Sequence, residues 1–539
     1  MKEIKSFYIG SFLISALIFC SVLLGQKVLE FNYKNQGQGG DVINTDFGSF
    51  LAAQHALYIN DFESASRMIN DVQTENKSIT QIRSLADFFN GKMPKNADSF
   101  KDSKDVVERL IYDAYLLQKD DWKSVYKRHN KDSSILAAPI RIFSGSQTKN
   151  PKDTAKFINS LKADENWKSF VRGQIAVLNN DIDGAAKEFA KVHPEFMNVN
   201  DYLYLMSFYR ENEMFEDMEI LRDDFLAKVG GMYMLNYTDI PDWSNYAGYK
   251  NNLVFSIVQT VSHTQIMIYT DLSLMFLRFA QIISNDANID AINYYLGQYY
   301  YYNNGDFKSC FEKISRSSPL YLFGQLKIAE KNNDMRAIEK IARKNPLFVP
   351  AVQIVGRNHI KNGDKYAALS VVNRALNKKD LSIDGRVYFL KQRAYVYAMF
   401  GDAKKAQKDL SELKDLNIGV SPDLMSLQAR VWAMQDKNLD DAYNYAMTLV
   451  KINTSDVNAW DLLSVIVEKK EGVENALEIL ERIGEVAPTS SSVYEHLGDF
   501  YFKQGDMERA NKAYLHALDL SDDCLIVVPN VKKKLRKIK

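Results

Sequence analysis

The sequence predicts an all-α fold in which helical hairpins stack into an α-α superhelix. Three alanines, Ala442, Ala476 and Ala510, lie 34 residues apart at the same phase of a helix-turn-helix pattern. A Gly-Asp pair also recurs between the two helices of several units. Self-similarity at such a period is typical of arrays of supersecondary units that bury their apolar faces against their neighbours. Because an array of this kind presents a long surface, its function is expected to lie in what that surface binds.

The clearest unit lies near the C-terminus. Its apolar and small positions are Tyr494, Leu497, Gly498, Tyr501, Ala510, Tyr514 and Ala517. Small residues let the two helices of a hairpin approach closely, while large ones fill the space between hairpins. Gly505 tolerates the positive φ of a tight turn, and the Asp506 carboxylate is suited to cap the next helix. The preceding unit runs in the same register from Trp460 to Pro488.

Further units can be followed towards the N-terminus. Their turns and small residues are Gly401-Asp402 before Ala406, Gly363-Asp364 before Ala368, and Gly305-Asp306 before Cys310. Another hairpin is predicted from Lys327 to Ile341, with its turn at Asn333-Asp334. Cys310 takes the small packing position of its unit, so a buried thiol is expected there.

The N-terminal half carries weaker signals. Phe50 to Ile69 and Gly173 to Phe189 each fit one hairpin, with turns at Asn60-Asp61 and Asn180-Asp181. Val106 to Val125 and Leu203 to Phe225 have helical apolar spacing without a clear signature. Helical hairpins are expected there too.

Leu253 to Ala280 is apolar enough to suggest a membrane span. It also contains Gln259, His263, Asp271 and Arg278, whose cost of insertion would accumulate across a bilayer. The sequence therefore favours two buried amphipathic helices that separate near His263 to Ile266.

Phe7 to Leu24 predicts a transmembrane helix. This stretch has no charged residue, and at about 1.5 Å per residue it would reach about 27 Å. Its apolar core exceeds that of a signal peptide and no small-x-small cleavage site follows, which favours an uncleaved anchor over a cleaved signal. Lys2 and Lys5 favour a cytoplasmic N-terminus, with the bulk of the chain on the other side of the membrane. Cleavage and secretion is the alternative.

Five segments follow from these observations. They are a transmembrane signal-anchor at 1–25, a flexible linker at 26–45, degenerate hairpins at 46–285, a regular array at 286–522 and a basic capping helix at 523–539. Val531, Leu535 and Ile538 form the apolar stripe of the last helix, which is expected to close the open face of the array. Docking of its lysines on anionic lipid or an acidic partner is the alternative.

Composition argues against several classes of function. The 68 basic and 68 acidic residues balance, which disfavours a nucleic-acid binder. Three cysteines provide no disulfide framework, and the seven histidines are scattered without metal-ligand spacing. The phosphate-binding and nucleophile motifs are absent from suitable contexts. Neither a cofactor nor a metal is expected, and the protein is predicted not to be an enzyme.

With these features, the chain resembles the tetratricopeptide repeat proteins of the bacterial cell envelope. The match is specific over Val349 to Asp522 and weaker before it. The resemblance implies that the first helices of the hairpins line a groove for peptides or partner subunits. Carried over to this sequence, the groove-facing positions are Gln353, Arg357, Lys391, Tyr395, Gln428, Asp461, Glu495, Asp499 and Lys503. Tyr395 stands where carboxylate-clamping members have Asn, which disfavours a heat-shock co-chaperone role.

Three functional hypotheses follow. The first is a membrane-tethered, non-catalytic scaffold that gathers protein partners in the bacterial cell envelope. The second is a structural subunit of a stable membrane complex, which would leave a large apolar patch on the isolated protein. The third is an enzyme with a site in the irregular region Gly230 to Asn252, where Asp239, Asp242 and Tyr246 are candidates.

Overall fold

A computed structural model describes most of the chain from residue 40 onwards. The described residues are 40–59, 61–132, 134–148, 151–228, 240–263, 270–284, 288–379, 381–416, 419–486, 488–521 and 526–538. Within these ranges the regular structure is helical and no strand occurs. None of the helices in them combines the length and apolar character needed to cross a membrane. The predicted span, Phe7 to Leu24, lies outside the described residues.

Twenty-eight α-helices occur in the described ranges. In chain order they are α1 (Gly40–Tyr58), α2 (Phe62–Asn70), α3 (Lys77–Phe89), α4 (Val106–Gln118), α5 (Trp122–His129), α6 (Ala138–Gln147), α7 (Pro151–Ser160), α8 (Glu165–Leu178), α9 (Ile182–Phe189), α10 (Val199–Glu211), α11 (Phe215–Lys228), α12 (Gly248–His263), α13 (Asp271–Ile283) and α14 (Ile289–Tyr302). They continue with α15 (Phe307–Glu312), α16 (Leu320–Lys331), α17 (Met335–Lys344), α18 (Val349–Lys361), α19 (Lys365–Leu376), α20 (Ile383–Met399), α21 (Ala403–Asp415), α22 (Pro422–Met434), α23 (Leu439–Ile452), α24 (Val457–Glu471), α25 (Val473–Val486), α26 (Ser491–Gln504), α27 (Met507–Asp519) and α28 (Val528–Ile538). Helix α1 begins at Gly40, inside the segment 26–45 that was predicted as a linker.

The chain divides into two compact units. Among the described residues, unit 1 comprises those within 40–225 and 240–331, and unit 2 comprises those within 226–228 and 332–538. The boundary at Lys331 falls within the hairpin predicted for Lys327 to Ile341. In unit 2, five successive hairpins run from α18 to α27, and α28 follows them.

One type of turn joins helices in both units. An aspartate caps the second helix, and its side chain accepts a hydrogen bond from the backbone N–H three residues later. The aspartates are Asp61, Asp121, Asp181, Asp306, Asp334, Asp364, Asp402 and Asp506. In several turns the residue before the aspartate has a positive φ, such as 58° at Asn180 and 83° at Gly505. The residue before the capping aspartate has a positive φ at Asn180, Asn333, Gly363, Gly401 and Gly505, so these Gly-Asp and Asn-Asp pairs predicted their turns correctly.

The two helices of several hairpins touch where a glycine faces an aromatic ring. A Cβ atom at Gly498 would lie 2.5 Å from the Tyr514 ring, and one at Gly297 would lie 2.5 Å from the Phe311 ring. In unit 1, a Cβ at Gly173 would collide with the ring of Phe189. The same close approach thus occurs in the degenerate and the regular parts of the chain.

Buried alanines complete the packing of unit 2. Ala442, Ala476 and Ala510, which mark the repeat in the sequence, are all fully buried. Helix α28 packs against the last hairpin through Val531 and Leu535, which are buried beside Ala510, Tyr514 and Ala517. Its second residue, Pro529, lies against the turn between α18 and α19, where its Cγ would be 2.8 Å from a Cβ at Gly363.

Unit 1 contains the pair of buried helices predicted for Leu253 to Ala280. Helix α12 ends at His263 and α13 begins at Asp271, so the segment is divided as expected. Both helices bury most of their residues. The consecutive tyrosines of α14 point in different directions, since Tyr299 is buried whereas Tyr302 is half exposed.

Candidate functional site

A cavity of about 570 Å³ lies among the first helices of the unit 2 hairpins. We call it the groove. Its walls come from α18, α20, α22, α24 and α26, one helix from each of the five hairpins. The lining residues are Gln353, Arg357, Tyr388, Lys391, Gln392, Tyr395, Met399, Asp423, Ser426, Leu427, Arg430, Asn458 and Ser492. Repeated hairpins therefore converge on one concave space, as a stack of curved repeats allows.

The charged groups of the groove are mainly cationic. Arg357, Lys391 and Arg430 line it from three successive hairpins, against one lining carboxylate, Asp423. The Lys391 ammonium is 4.0 Å from the Asp423 carboxylate, which is itself almost fully exposed. An exposed pair at this distance contributes little binding energy. The groove consequently presents a net positive charge to an incoming ligand.

Aromatic and apolar side chains form the less polar part of the groove. Leu427 and Tyr388 are buried. The Gln353 amide donates a hydrogen bond of 2.7 Å to the Tyr388 hydroxyl. Burial raises the pKa of Tyr388 to about 12, against the opposing effects of Gln353 and Arg357, so this hydroxyl is neutral at physiological pH. The groove therefore combines cations with a hydrogen-bonded aromatic wall.

Four of the predicted groove residues meet in this cavity, and Asp461 lies behind it. Gln353, Arg357, Lys391 and Tyr395 line the groove together. Asp461 is 1% exposed, and its carboxylate accepts a hydrogen bond of 2.7 Å from the Ser492 hydroxyl. It also lies 2.6 Å from Nδ1 of His496.

The Asp461 carboxylate and the His496 imidazole stabilise each other's charged forms. Burial disfavours charge on both, but the His496 charge, with help from Arg430 and Ser492, holds the pKa of Asp461 below its usual value. In the same way Asp461 raises the pKa of His496 despite the burial of the ring. Asp461 thus links α24 to α26 and holds the wall of the groove in place.

The other predicted positions engage neighbouring side chains outside this cavity. The Lys534 ammonium of α28 donates hydrogen bonds of 2.7 Å to both Glu495 and Asp499. Lys503 bonds to Glu468 at 2.6 Å, and the Gln428 amide donates to Gln407. Gln428 follows the lining residue Leu427 directly, and one residue rotates the side chain by about 100° around a helix axis.

Several lining residues were missed at the level of sequence. On α20 they are Tyr388, Gln392 and Met399, which share a face with Lys391 and Tyr395 at helical spacing. On α22, Asp423, Ser426, Leu427 and Arg430 show the same spacing. The signal was therefore present in the sequence, and it could be found by extending each candidate along its own helix face.

The irregular region of unit 1 shows no assembled site among the described residues. Asp242 is a helix cap that accepts a hydrogen bond from the backbone N–H of Ser244. Tyr246 is buried among aromatic rings, and burial raises its pKa. Asp239 lies outside the described residues. Within the described ranges no group of three His, Cys, Asp or Glu side chains is arranged to hold a metal ion.

Comparison with known proteins gives weak similarities. No family model and no curated protein matches the sequence. Among solved structures, MamA from Desulfovibrio magneticus RS-1 shares 16% identity, covering 32% of this chain and 94% of its own, with a TM-score of 0.22. A tetratricopeptide repeat protein from Parabacteroides merdae shares 13% identity over 54% of this chain and 99% of its own, with a TM-score of 0.30. The Cut9–Hcn1 hetero-tetramer of the APC/C shares 13% identity over 92% of this chain and 96% of that chain, with a TM-score of 0.31.

Similarities at this level do not assign the chain to a family. Its own structure has repeated hairpins with capped turns, glycine-aromatic contacts and buried alanines. On those grounds the described part of the protein is all-helical and built from repeated helical hairpins. Stacks of such hairpins present extended surfaces.

Proposed function

We propose that the protein is a membrane-tethered, non-catalytic scaffold that holds a segment of a partner protein in the groove of unit 2. The observation that carries this proposal is the convergence of side chains from five successive hairpins on one cavity. A site built from many repeats suits an extended peptide, because each hairpin adds contacts along its length.

The charge of the groove favours an acidic partner segment. Arg357 has no ion pair among the described residues, and Lys391 has only its distant, exposed contact with Asp423. Cations of this kind attract carboxylates over a Debye length and fix the register of a bound chain. Tyr388 and Leu427 are largely buried but line the groove, and they offer apolar contact to side chains of the same segment.

Tethering rests on the sequence of Phe7 to Leu24, which is long and apolar enough to span a bilayer. We place the array on the periplasmic side of a bacterial inner membrane, following the lysines that precede this segment. Secretion after signal cleavage is the alternative.

A photo-crosslinking experiment tests the groove. Benzoylphenylalanine replaces either Tyr395, which lines the groove, or Tyr366. Tyr366 is 85% exposed and lies on α19, the second helix of its hairpin. After irradiation of intact membranes, adducts are purified and identified. A defined adduct is expected from position 395 and not from position 366. Equal adducts from both positions would show that the groove is not the binding surface.

Charge variants test the chemistry of the partner. Arg357→Gln, Lys391→Gln and Arg430→Gln, combined, are expected to lower partner capture at least tenfold, because they remove the cations of the groove. The matched control carries Lys404→Gln, Lys408→Gln and Lys414→Gln on α21, which remove the same charge from exposed lysines of a second helix. Asp499, another predicted groove position, is not substituted because its hydrogen bond from Lys534 holds α28 in place. Equal losses in the two variants would reject a specific role for the groove.

Tethering is tested separately by comparing the full chain with a version that starts at Asp41. We expect the full chain to sediment with membranes and to resist carbonate extraction, and the shortened chain to remain in solution. Membrane association of both forms would reject an anchor at Phe7 to Leu24.

A further inference from the structure

A second cavity, of about 370 Å³, lies within unit 1, and it is independent of the groove. Its walls come from the start of α8, the segment after α9, the first turn of α10 and the end of α12. Cavities of about 300 Å³ and above are of ligand-binding size, and an apolar cavity of about 150 Å³ is enough to accept benzene. This one therefore has room for a single substituted ring.

One end of this cavity is polar and highly ordered. Asp201 is 1% exposed, and each of its carboxylate oxygens is hydrogen-bonded. Oδ1 accepts from the Gln259 amide at 3.0 Å, and Oδ2 accepts from the backbone N–H of Asn198 at 3.1 Å. Oδ2 also lies 2.5 Å from Nε2 of His263. The buried carboxylate therefore fixes the orientation of the His263 ring, which is the general effect of a carboxylate bound to one imidazole nitrogen.

The second ring nitrogen of His263 takes no part in that contact. When the imidazole is neutral, Nε2 donates to Asp201 and Nδ1 is an acceptor; when it is protonated, Nδ1 becomes a donor. Burial opposes the charge, but Asp201 and, to a smaller degree, Asp164 raise the pKa of His263. Lys162, at the exposed edge, is the other charged group that lines the cavity. A ligand that can both donate and accept a hydrogen bond suits either protonation state of the ring.

The remaining walls are apolar and largely aromatic. Trp167, Phe170 and Met197 are buried, and Phe196 is about half exposed at the edge. The Trp167 ring is held by a hydrogen bond of 3.3 Å from its indole N–H to the Thr260 hydroxyl. Two acidic and two basic groups line the cavity, so that its charges balance when His263 is protonated. A flat, uncharged ring with a single polar tip fits such surroundings better than an ion does.

We propose that this cavity binds a phenol, with the ring between the aromatic walls and the hydroxyl at His263. A phenol hydroxyl both donates and accepts, and its ring has the size and polarity of the space. The phenol comes from one of two sources, a free small molecule or the side chain of a tyrosine in a partner protein.

Isothermal titration of the full chain with 4-methylphenol tests the ligand class. We expect a Kd of ~1 mM or tighter, since a small ligand gains at most a modest free energy per atom. The matched probe is 4-methylanisole, which has the same ring but cannot donate a hydrogen bond; it is expected to bind about tenfold more weakly. The proposal would be overturned if 4-methylphenol did not bind at about 10 mM, which is ten times the expected Kd. Equal affinities of the two probes would also overturn it.

Two variants place the ligand in the cavity. His263→Phe keeps a ring but removes its nitrogens, and is expected to weaken 4-methylphenol binding about tenfold. Ala163→Trp adds a large ring at a lining position, leaves Asp201 and His263 unsubstituted, and is expected to abolish binding. It also serves as the decisive variant if His263→Phe does not fold. The control is His55→Phe, the same substitution at an exposed histidine of unit 1 that does not line the cavity. Unchanged binding to Ala163→Trp would disprove the site.

A third probe, N-acetyl-tyrosinamide, distinguishes the two sources. If it binds as tightly as 4-methylphenol and is excluded by Ala163→Trp, the site accepts a tyrosine from a protein chain. If 4-methylphenol binds and N-acetyl-tyrosinamide does not, the ligand is a free small phenol. Either result is independent of partner capture by the groove, so the two proposals can fail separately.

Discussion

Unit 1 and unit 2 bury different kinds of residue, although the same turn and the same helix contacts occur in both. Among the described residues, the buried polar side chains of unit 2 are few, and Asp409 and Asp461 are the charged ones. Unit 1 buries many more, including Asp113, Gln174, Asn200, Asp201, Asn252 and Gln259. Regular hairpins thus bury mainly small and apolar residues, whereas irregular hairpins also bury polar side chains that hydrogen-bond to one another.

Part of this difference lies in the segment before α12. Capping aspartates satisfy helix ends in both units. In unit 1 the irregular segment before α12 brings backbone carbonyls into the interior, and side-chain amides must satisfy them. Asn252 does so by donating to the carbonyls of Tyr246 and Gly248.

The largest effect is expected from Asn252→Leu. The Asn252 amide also accepts hydrogen bonds from the Tyr204 hydroxyl at 2.7 Å and from Gln174 at 3.2 Å, and all three side chains are fully buried. Leucine would leave these donors and the Tyr246 carbonyl without their partner, at a cost of about 4 kcal/mol in the free energy of unfolding. Urea denaturation followed by circular dichroism measures the loss.

The matched substitution in unit 2 is Gln353→Leu. Gln353 is partly exposed and makes one hydrogen bond, to Tyr388, so its replacement is expected to cost less than about 1 kcal/mol. Similar losses for the two variants would break the comparison, because they would show that unit 1 does not depend more on buried polar groups than unit 2.

A smaller effect is expected where the two units are alike. Gly173→Ala in unit 1 and Gly498→Ala in unit 2 each force a methyl group against an aromatic ring of the paired helix. The steric overlap lowers the free energy of unfolding by up to about 3 kcal/mol. Alanine stabilises a helix by about 1 kcal/mol relative to glycine, so the expected loss of stability is about 2 kcal/mol. Hydrogen exchange should show lost protection in α8 and α9 for the first variant and in α26 and α27 for the second.

Gly356→Ala is the control for these glycines. Gly356 lies in helix α18, and a Cβ there would meet no atom within 4 Å. This variant is expected to be as stable as the parent or up to about 1 kcal/mol more stable. If Gly173→Ala did not lower stability either, the close approach of Gly173 to the Phe189 ring would not stabilise unit 1.

The turns explain how much of the fold could be predicted from the sequence. Gly-Asp and Asn-Asp pairs marked hairpins in both units because a left-handed residue and a cap are local requirements. The hairpin of α4 and α5 has the same turn at Asp120-Asp121, where Asp120 supplies the positive φ of 56°, but an Asp-Asp pair was not recognised as this signal. Aspartate, like asparagine, is enriched at positive φ, so an Asp-Asp pair is a further pattern that can supply this turn.

The two cavities were predictable to different degrees. Four residues that line the groove are among the positions implied by the resemblance to tetratricopeptide repeats. The cavity of unit 1 depends on the approach of Asp201 to Gln259 and His263, which are distant in the sequence. No local periodicity encodes that approach, so each of these residues could be placed on a helix but not against the others.

The smallest effect concerns two carboxylate-paired histidines, one in each unit. His263 pairs with Asp201 in unit 1, and His496 pairs with Asp461 in unit 2, where Glu495 and Asp499 add to the negative surroundings. For both histidines, burial is outweighed by the carboxylates, and the pKa is raised. Their contribution to stability is therefore fully present below pH 6.5, the ordinary pKa of the imidazole, and is lost as pH rises through the raised pKa. The pKa of Asp461 is lowered, so its contribution persists from neutral pH down to below 3.8 and is lost only in stronger acid.

The difference in unfolding free energy between the parent and His496→Gln should accordingly be about 1 kcal/mol larger at pH 6 than at pH 9. His263→Gln should show the same sign, and His193→Gln, at an exposed position, provides the control. Urea denaturation at the two pH values measures each difference. A difference that grew with pH would mean that the neutral imidazole is the stabilising form, and the two carboxylate-histidine pairs would then act as neutral hydrogen bonds. A pH effect for His496 alone would instead sharpen the contrast, because it would show that the buried network of unit 1 holds His263 without needing its charge.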